Sequence, residues 1–220
     1  MLQEYKFETA EVTLNIAEGP PSGPPLLLIH GGGGSWGEFQ PILPALTQEW
    51  HVYTLVLRGH GKSGRTPGCY RPEQYVPDIT AVLNQQIKEK TVLFGHSLGG
   101  WIALLTAVAR PEKTRALILG DPPLNIKRFL AYEGSEERIA MWRALHDQLA
   151  TSNQIDPDII FYHANGRLDE YVQQVNVDAL LPQVACPALL LQADPSQGGL
   201  VTDEDTQYAL SLLADGRHAQ

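Results

Sequence analysis

Short apolar runs alternate with amphipathic stretches along this chain, and the alternation predicts strands and helices taken in turn. Tyr5 to Thr9 and Val12 to Ala17 read as two alternating strands that open the chain like a hairpin. The turn-rich stretch Gly19-Pro20-Pro21-Ser22-Gly23-Pro24-Pro25 then breaks it. Leu26-Leu27-Leu28-Ile29-His30 is a continuous apolar run, as a strand buried on both faces should be. Runs of the same kind follow at His51 to Leu57, Thr91 to Phe94, Ala116 to Leu119 and Ala188 to Leu191. Helical stretches fit between several of them, at Pro41 to Glu49, Pro72 to Glu89 and Leu98 to Ala109. Strand, helix, strand repeated in this way predicts an α/β chain with a mostly parallel sheet and right-handed crossovers.

One interval breaks the rhythm. From Pro122 to Pro187 no convincing strand occurs, although strand candidates flank the interval on both sides. Glu136 to Ala150 is helix-like, with Ser135 as its N-cap. Asp156-Pro157 places a capping aspartate before a proline and opens a second helix, and Leu168 to Leu180 reads as a third. The aromatics Trp142, Phe161, Tyr162 and Tyr171 make this a packed helical insertion, not a linker. The domain reading is a core of 1–121 and 188–220 interrupted by 122–187. The nearest thing to a charge run, Glu133 to Arg138, reads as a solvated helix face.

Composition narrows the function classes more than the fold. Apolar residues at 43% and charged residues at 19% exclude wholesale disorder. A net charge of −9 argues against a nucleic-acid partner and against attachment to an acidic membrane surface. Cys69 and Cys186 sit far apart with no metal-ligand spacing around either, so no metal is expected. No secretory h-region follows Met1, and the longest apolar stretch, Trp101 to Ala109, is too short for a membrane span. These features predict a cytoplasmic protein.

The sharpest chemical signal is Gly95-His96-Ser97-Leu98-Gly99-Gly100, which satisfies G-x-S-x-G between a buried strand and a helix. That setting makes Ser97 the residue of a nucleophile elbow. The turn lifts its hydroxyl above the sheet, and the flanking glycines let strand and helix approach. The second signal, His30-Gly31-Gly32-Gly33-Gly34-Ser35-Trp36, falls directly after a strand. A loop of this type supplies a backbone N–H to an oxyanion hole, and the hole is assigned to Gly32 and Leu98. The spacing does not suit a P-loop, and no Lys-Ser or Lys-Thr follows.

With both motifs in place, the chain resembles the α/β-hydrolase superfamily over nearly all its length. Arg58-Gly59-His60-Gly61-Lys62-Ser63 is similar to the R-G-H-G-x-S segment of many cofactor-free members, although Val56 stands where those members often have an aspartate. The resemblance implies no cofactor, a scaffold role for His60, and a cap formed by the insertion. Trp36, Phe129 and Trp142, with Phe161 and Tyr162, are candidates to line the substrate pocket. The implied activity is that of a serine hydrolase cleaving a small to medium carboxylic ester. C–C bond hydrolysis, perhydrolysis and a non-catalytic scaffold remain as alternatives.

A triad of this kind needs an acid and a histidine. Asp121 and Asp194 each follow a strand, the resemblance supports either, and Asp203 and Asp205 are outsiders. Relatives carry the histidine in a Gly-x-Gly-His-like loop after one more strand. Here the last residues are Ala214-Asp215-Gly216-Arg217-His218-Ala219-Gln220. The resemblance therefore implies that the last strand and helix, with the catalytic histidine, are missing, and that His218 is not that residue.

Overall fold

The computed structural model describes residues 2–149 and 155–220. Among these residues eight strands form one sheet: β1 (Gln3–Glu8), β2 (Thr13–Glu18), β3 (Pro25–Ile29), β4 (His51–Val56), β5 (Thr91–His96), β6 (Thr114–Gly120), β7 (Ala188–Leu191) and β8 (Gly216–Ala219). Their spatial order is β1-β2-β4-β3-β5-β6-β7-β8. β2 pairs antiparallel with β1 and with β4, and every other pairing is parallel. The predicted parallel sheet with a hairpin opening is therefore the observed one.

The continuous apolar run of β3 sits at the centre, buried from end to end. Its pleat divides it between two cores. Leu27 and Ile29 join the larger cluster, while Leu26 and Leu28 join a smaller one with Phe39, Leu43 and Val52. The smaller core lies beneath α1 (Leu43–Glu49). The larger core packs against α2 (Val76–Ala81), which runs on as a π-helical turn to Ile87, and against α3 (Leu98–Ala109). α3 is apolar on nearly every side, because sheet and neighbouring helices enclose it.

The interval between β6 and β7 is helical, as its sequence suggests. It carries α4 (Ile126–Glu133), α5 (Glu136–Leu149), α6 (Phe161–Ala164), α7 (Leu168–Tyr171) and α8 (Val177–Leu180). The helix expected from Asp156 begins as a short 3-10 turn, with the Asp156 side chain accepting from the Asp158 N–H. Ala150, the expected end of α5, lies outside the described residues. The third expected helix is two short ones, α7 and α8, separated by a turn. α9 (Asp203–Leu212) follows β7, opened by a reciprocal Thr202–Asp205 capping box.

One expectation is corrected. The last strand is present: Gly216–Ala219 pairs in parallel register with Ala188–Leu191. Its residues are largely exposed and carry no apolar run, so backbone hydrogen bonding to β7, not burial, makes it a strand.

Candidate active site

The parallel strands β3, β5, β6 and β7 all end at one edge of the sheet, where ligands of open α/β sheets bind. Register fixes what meets there. Ile29 is opposite Gly95, and His96 is opposite Gly120, so the residues that follow (His30, Ser97 and Asp121) leave adjacent strands side by side.

Ser97 stands at φ 49° and ψ −116°, a strained conformation for a residue with a side chain. Its N–H donates to the Gly120 carbonyl at 2.9 Å, tying the turn to β6. The glycines around it are dictated by backbone contact. A Cβ on Gly95 would lie 2.0 Å from the Gly99 oxygen, and one on Gly99 would lie 2.2 Å from the Ile29 oxygen. Helix and strands can meet this closely only where no side chain intervenes.

The loop after β3 is held from both sides. Leu57 N–H donates to His30 Nε2 and Gly33 N–H donates to His60 Nε2, each at 3.0 Å. His30 Nδ1 contacts the Gly31 carbonyl and His60 Nδ1 the Arg58 carbonyl, so both rings serve as neutral bridges. Burial pushes His30 down to about 3 and His60 down to about 4. His60 is thus a scaffold residue of the loop. Glu38, which the sequence did not single out, accepts from the Gly31 N–H at 3.2 Å and meets His96 Nδ1 at 3.3 Å. That hydrogen bond raises the His96 pKa. The N–H groups of Gly32 and Leu98 have no acceptor among the described residues.

The missing aspartate at Val56 is made good from elsewhere. Arg58 donates twice to Asp78 at 2.7 Å and once to Glu11 at 2.9 Å, and the Arg58 and Asp78 side chains are each 1% exposed. The same segment anchors the helical insertion. Gly59 accepts from the Asp156 N–H at 2.8 Å, and Tyr70 donates to the Asp156 carboxylate at 2.6 Å.

The two candidate acids separate clearly. Asp121 is buried at φ 48° and accepts from three backbone N–H groups, those of Ala193, Leu200 and Val201, at 2.7 to 3.3 Å. Asp194 is exposed and spends its carboxylate on its own turn, accepting from Ser196 N–H and Oγ and from Gln197. Those bonds lower its pKa. Asp203 and Asp205 are bound to Gln192 and to Arg128, Asn125 and Thr202. His218 is exposed on β8, paired opposite Leu190.

Ser97, Leu98, Gly32 and Gly33 open onto a cavity of about 570 Å³. Of the expected pocket residues, Phe129 and Trp142 line it. Trp36 does not: its ring packs on the smaller core, against the cluster that includes Leu26, Leu28 and Phe39. Phe161 and Tyr162 border a separate hollow with Gly68, Tyr70 and Asp158. The expected solvated face from Glu133 to Arg138 also needs correction. Glu133 is buried, accepts from Arg138 at 2.7 and 3.1 Å and from Trp142 Nε1 at 2.6 Å, and both charged residues line the cavity. A turn between α4 and α5 brings these three side chains together, which helical spacing alone cannot reveal. His163 joins them, in ring contact with Phe129, Trp142 and Tyr171.

A family model for the alpha/beta hydrolase fold matches residues 24–150. The chain is 30% identical to the serine hydrolase-like protein of Danio rerio over 137 residues, 61% of this chain and 41% of that protein. It is 34% identical to the sn-1-specific diacylglycerol lipase ABHD11 of the same organism over 112 residues, 50% of this chain and 35% of that protein. The chain thus spans less than half the length of these relatives. The solved structure of E-2-(acetamidomethylene)succinate hydrolase superposes with a TM-score of 0.74 at 19% identity, covering 100% of this chain and 90% of that one. At this identity the likeness is one of fold. No helix of the described residues is long and apolar enough to cross a membrane.

Proposed function

Because the chain belongs to the alpha/beta hydrolase fold family, we propose that it is a serine hydrolase cleaving a small to medium carboxylic ester through an acyl-enzyme on Ser97. The observation that carries this is Ser97 itself, strained at φ 49° and opening onto a cavity whose floor also presents Gly32 and Leu98. In this reading Ser97 Oγ attacks the ester carbonyl carbon, and the carbonyl electron pair moves onto oxygen. The Gly32 and Leu98 N–H groups receive that oxyanion. The tetrahedral adduct collapses, the carbon–oxygen bond to the alcohol breaks, and the alcohol departs with the proton that Ser97 gave up. Water then adds to the acyl group and releases the acid.

Asp121 is the better acid of the two. It leaves the strand beside that of Ser97, and its buried carboxylate is oriented by three backbone donors. The proton acceptor is assigned to none of the histidines placed above. His30 and His60 are committed to the loop, and His218 stands on the edge strand. Residues 122–187 act as the cap, because α4 and α5 and the segment from Ile155 to Tyr171 supply the side of the cavity opposite Ser97. The lining is largely apolar, which suits an acyl chain more than a charged one.

Turnover of p-nitrophenyl butyrate tests the proposal. Ser97→Ala is expected to lower kcat/KM at least ~10³-fold. Equal turnover by the variant would remove Ser97 from the chemistry, and no turnover by the parent chain would favour a binding scaffold over an enzyme.

A further inference from the structure

We propose that Glu38 is a positioning residue of the oxyanion hole: its carboxylate takes up the Gly31 N–H and so leaves the Gly32 N–H to the substrate oxygen, while His96 supplies the countercharge. The proposal rests on the reading that Ser97 forms an acyl-enzyme in this cavity.

Glu38 reaches the loop from a short 3-10 turn (Trp36–Phe39) that Ser35 caps, its hydroxyl accepting from the Gly37 N–H at 3.2 Å. The carboxylate lies within the bend of the glycine run. Both of its oxygens meet the Gly31 N–H, at 3.2 and 3.4 Å, and a Cβ on Gly34 would stand 2.7 Å from Oε2. The next donors of the run are also taken. Gly33 N–H donates to His60 Nε2, and Gly34 N–H donates to the Gly31 carbonyl at 3.1 Å. Within this run only Gly32, which lines the cavity, keeps an N–H without an acceptor among the described residues. Without Glu38 the Gly31 N–H would lose its acceptor, and the Gly31–Gly32 backbone, with no side chain to restrain it, would be free to turn.

The countercharge follows from the same geometry. A carboxylate beside a developing oxyanion opposes it unless a positive group stands close. His96, immediately before Ser97, meets Glu38 Oε1 through Nδ1 at 3.3 Å. A Cβ on Gly31 would lie 3.1 Å from His96 Nδ1 and 3.4 Å from Ser97 Cβ, so the two side chains border the same face of Gly31. The bond to Glu38 raises the His96 pKa, and Asp121 acts in the same direction. The other titratable side chains whose field reaches the pair are His30 and His60, both neutral by burial. His96 therefore keeps its proton to a higher pH than an ordinary histidine does. Beyond that pH the Glu38 charge stands uncompensated.

Turnover of p-nitrophenyl butyrate across pH, with an NMR titration of the His96 ring, tests this. Glu38→Gln keeps an acceptor for the Gly31 N–H and removes the charge, whereas Glu38→Ala removes both. Below the His96 titration, kcat is expected to fall about tenfold in Glu38→Ala and less in Glu38→Gln, with KM nearly unchanged in each. The His96 titration should move to lower pH in both variants. Above the parent's His96 titration the parent should slow while Glu38→Gln does not, so the gap between them closes. A loss of folded protein would instead lower kcat by one factor at every pH, and circular dichroism measures it. Equal kcat in the parent and both variants, beside turnover that Ser97→Ala abolishes, would overturn the positioning role alone. A His96 titration that Glu38→Gln leaves in place, or a parent-to-Gln ratio constant across pH, would overturn the countercharge. No ester turnover by the parent would overturn the hydrolase reading and the role of Glu38 with it.

Discussion

The two sides of the cavity are built by different means. On the sheet side, backbone does the positioning. Ser97 and Leu98 stand where they do because β3, β5 and α3 approach until a Cβ on Gly95 or Gly99 would collide with backbone. On the cap side, side chains do it: Glu133, Arg138, Trp142 and His163 meet through hydrogen bonds and ring contacts across several short helices. The first arrangement admits no side chain at Gly95 or Gly99, whereas the second can be re-specified one side chain at a time. On the proposed reading, chemistry would lie on the rigid side and substrate contacts on the other, so the substrate could change without rebuilding the turn at Ser97.

The largest expected effect would break this contrast if it failed. Gly99→Ala places a methyl group 2.2 Å from the Ile29 oxygen, a backbone atom that cannot swing away. Unfolding by urea should show a loss of more than ~3 kcal/mol, or no folded protein. Glu133→Gln on the cap side keeps the shape of its network and weakens its charge-assisted bonds, so about 1–2 kcal/mol is expected there. Similar losses at both positions would erase the distinction between backbone and side-chain construction.

Acid acts on both sides together, and more gently. His60 titrates at about 4 in the folded chain against an ordinary 6.5, so the unfolded chain takes up its proton first. Stability is then fully present above pH 6.5 and is lost as pH falls through about 4, by up to about 3 kcal/mol from this residue. His163 on the cap side contributes in the same window, while His30 continues to lower pH. Denaturation between neutral and mildly acidic pH should show this slope, and His60→Gln should flatten it. A slope that His60→Gln leaves untouched would mean that the loop after β3 is not held by a neutral ring.

The sheet side was legible in the sequence for the reason that makes it rigid. A strand buried on both faces must be a continuous apolar run, and a turn without room for Cβ must be glycine. Leu26 to Ile29 and Gly95 to Gly100 could be read directly. The cap side was not legible, because its contacts depend on how short helices turn. Glu133 and Arg138 look like any exposed charged pair until α4 and α5 fold over the cavity. The different surroundings of Asp121 and Asp194 were equally hidden, since both follow strands. Their surroundings differ only once the chain folds, when Leu200 and Val201 return onto Asp121 while Asp194 binds its own turn. β8 escaped because an edge strand made by backbone pairing needs no apolar pattern. Trp36 shows the opposite error, an aromatic beside a functional loop whose ring faces the other core. Trp36→Phe should therefore cost about 1 kcal/mol and leave kcat/KM unchanged, the smallest effect of the series. A change in kcat/KM would return Trp36 to the pocket.

The most direct test of Ser97 as nucleophile is to trap its acyl group. The protein is mixed with p-nitrophenyl butyrate, quenched in acid during turnover, digested, and its peptides weighed by mass spectrometry. The account predicts one butyryl group on the peptide containing Ser97 and none on the same peptide of Ser97→Ala. An acyl group on another residue, or turnover that leaves every peptide unmodified under conditions where the acyl-enzyme accumulates, would contradict it.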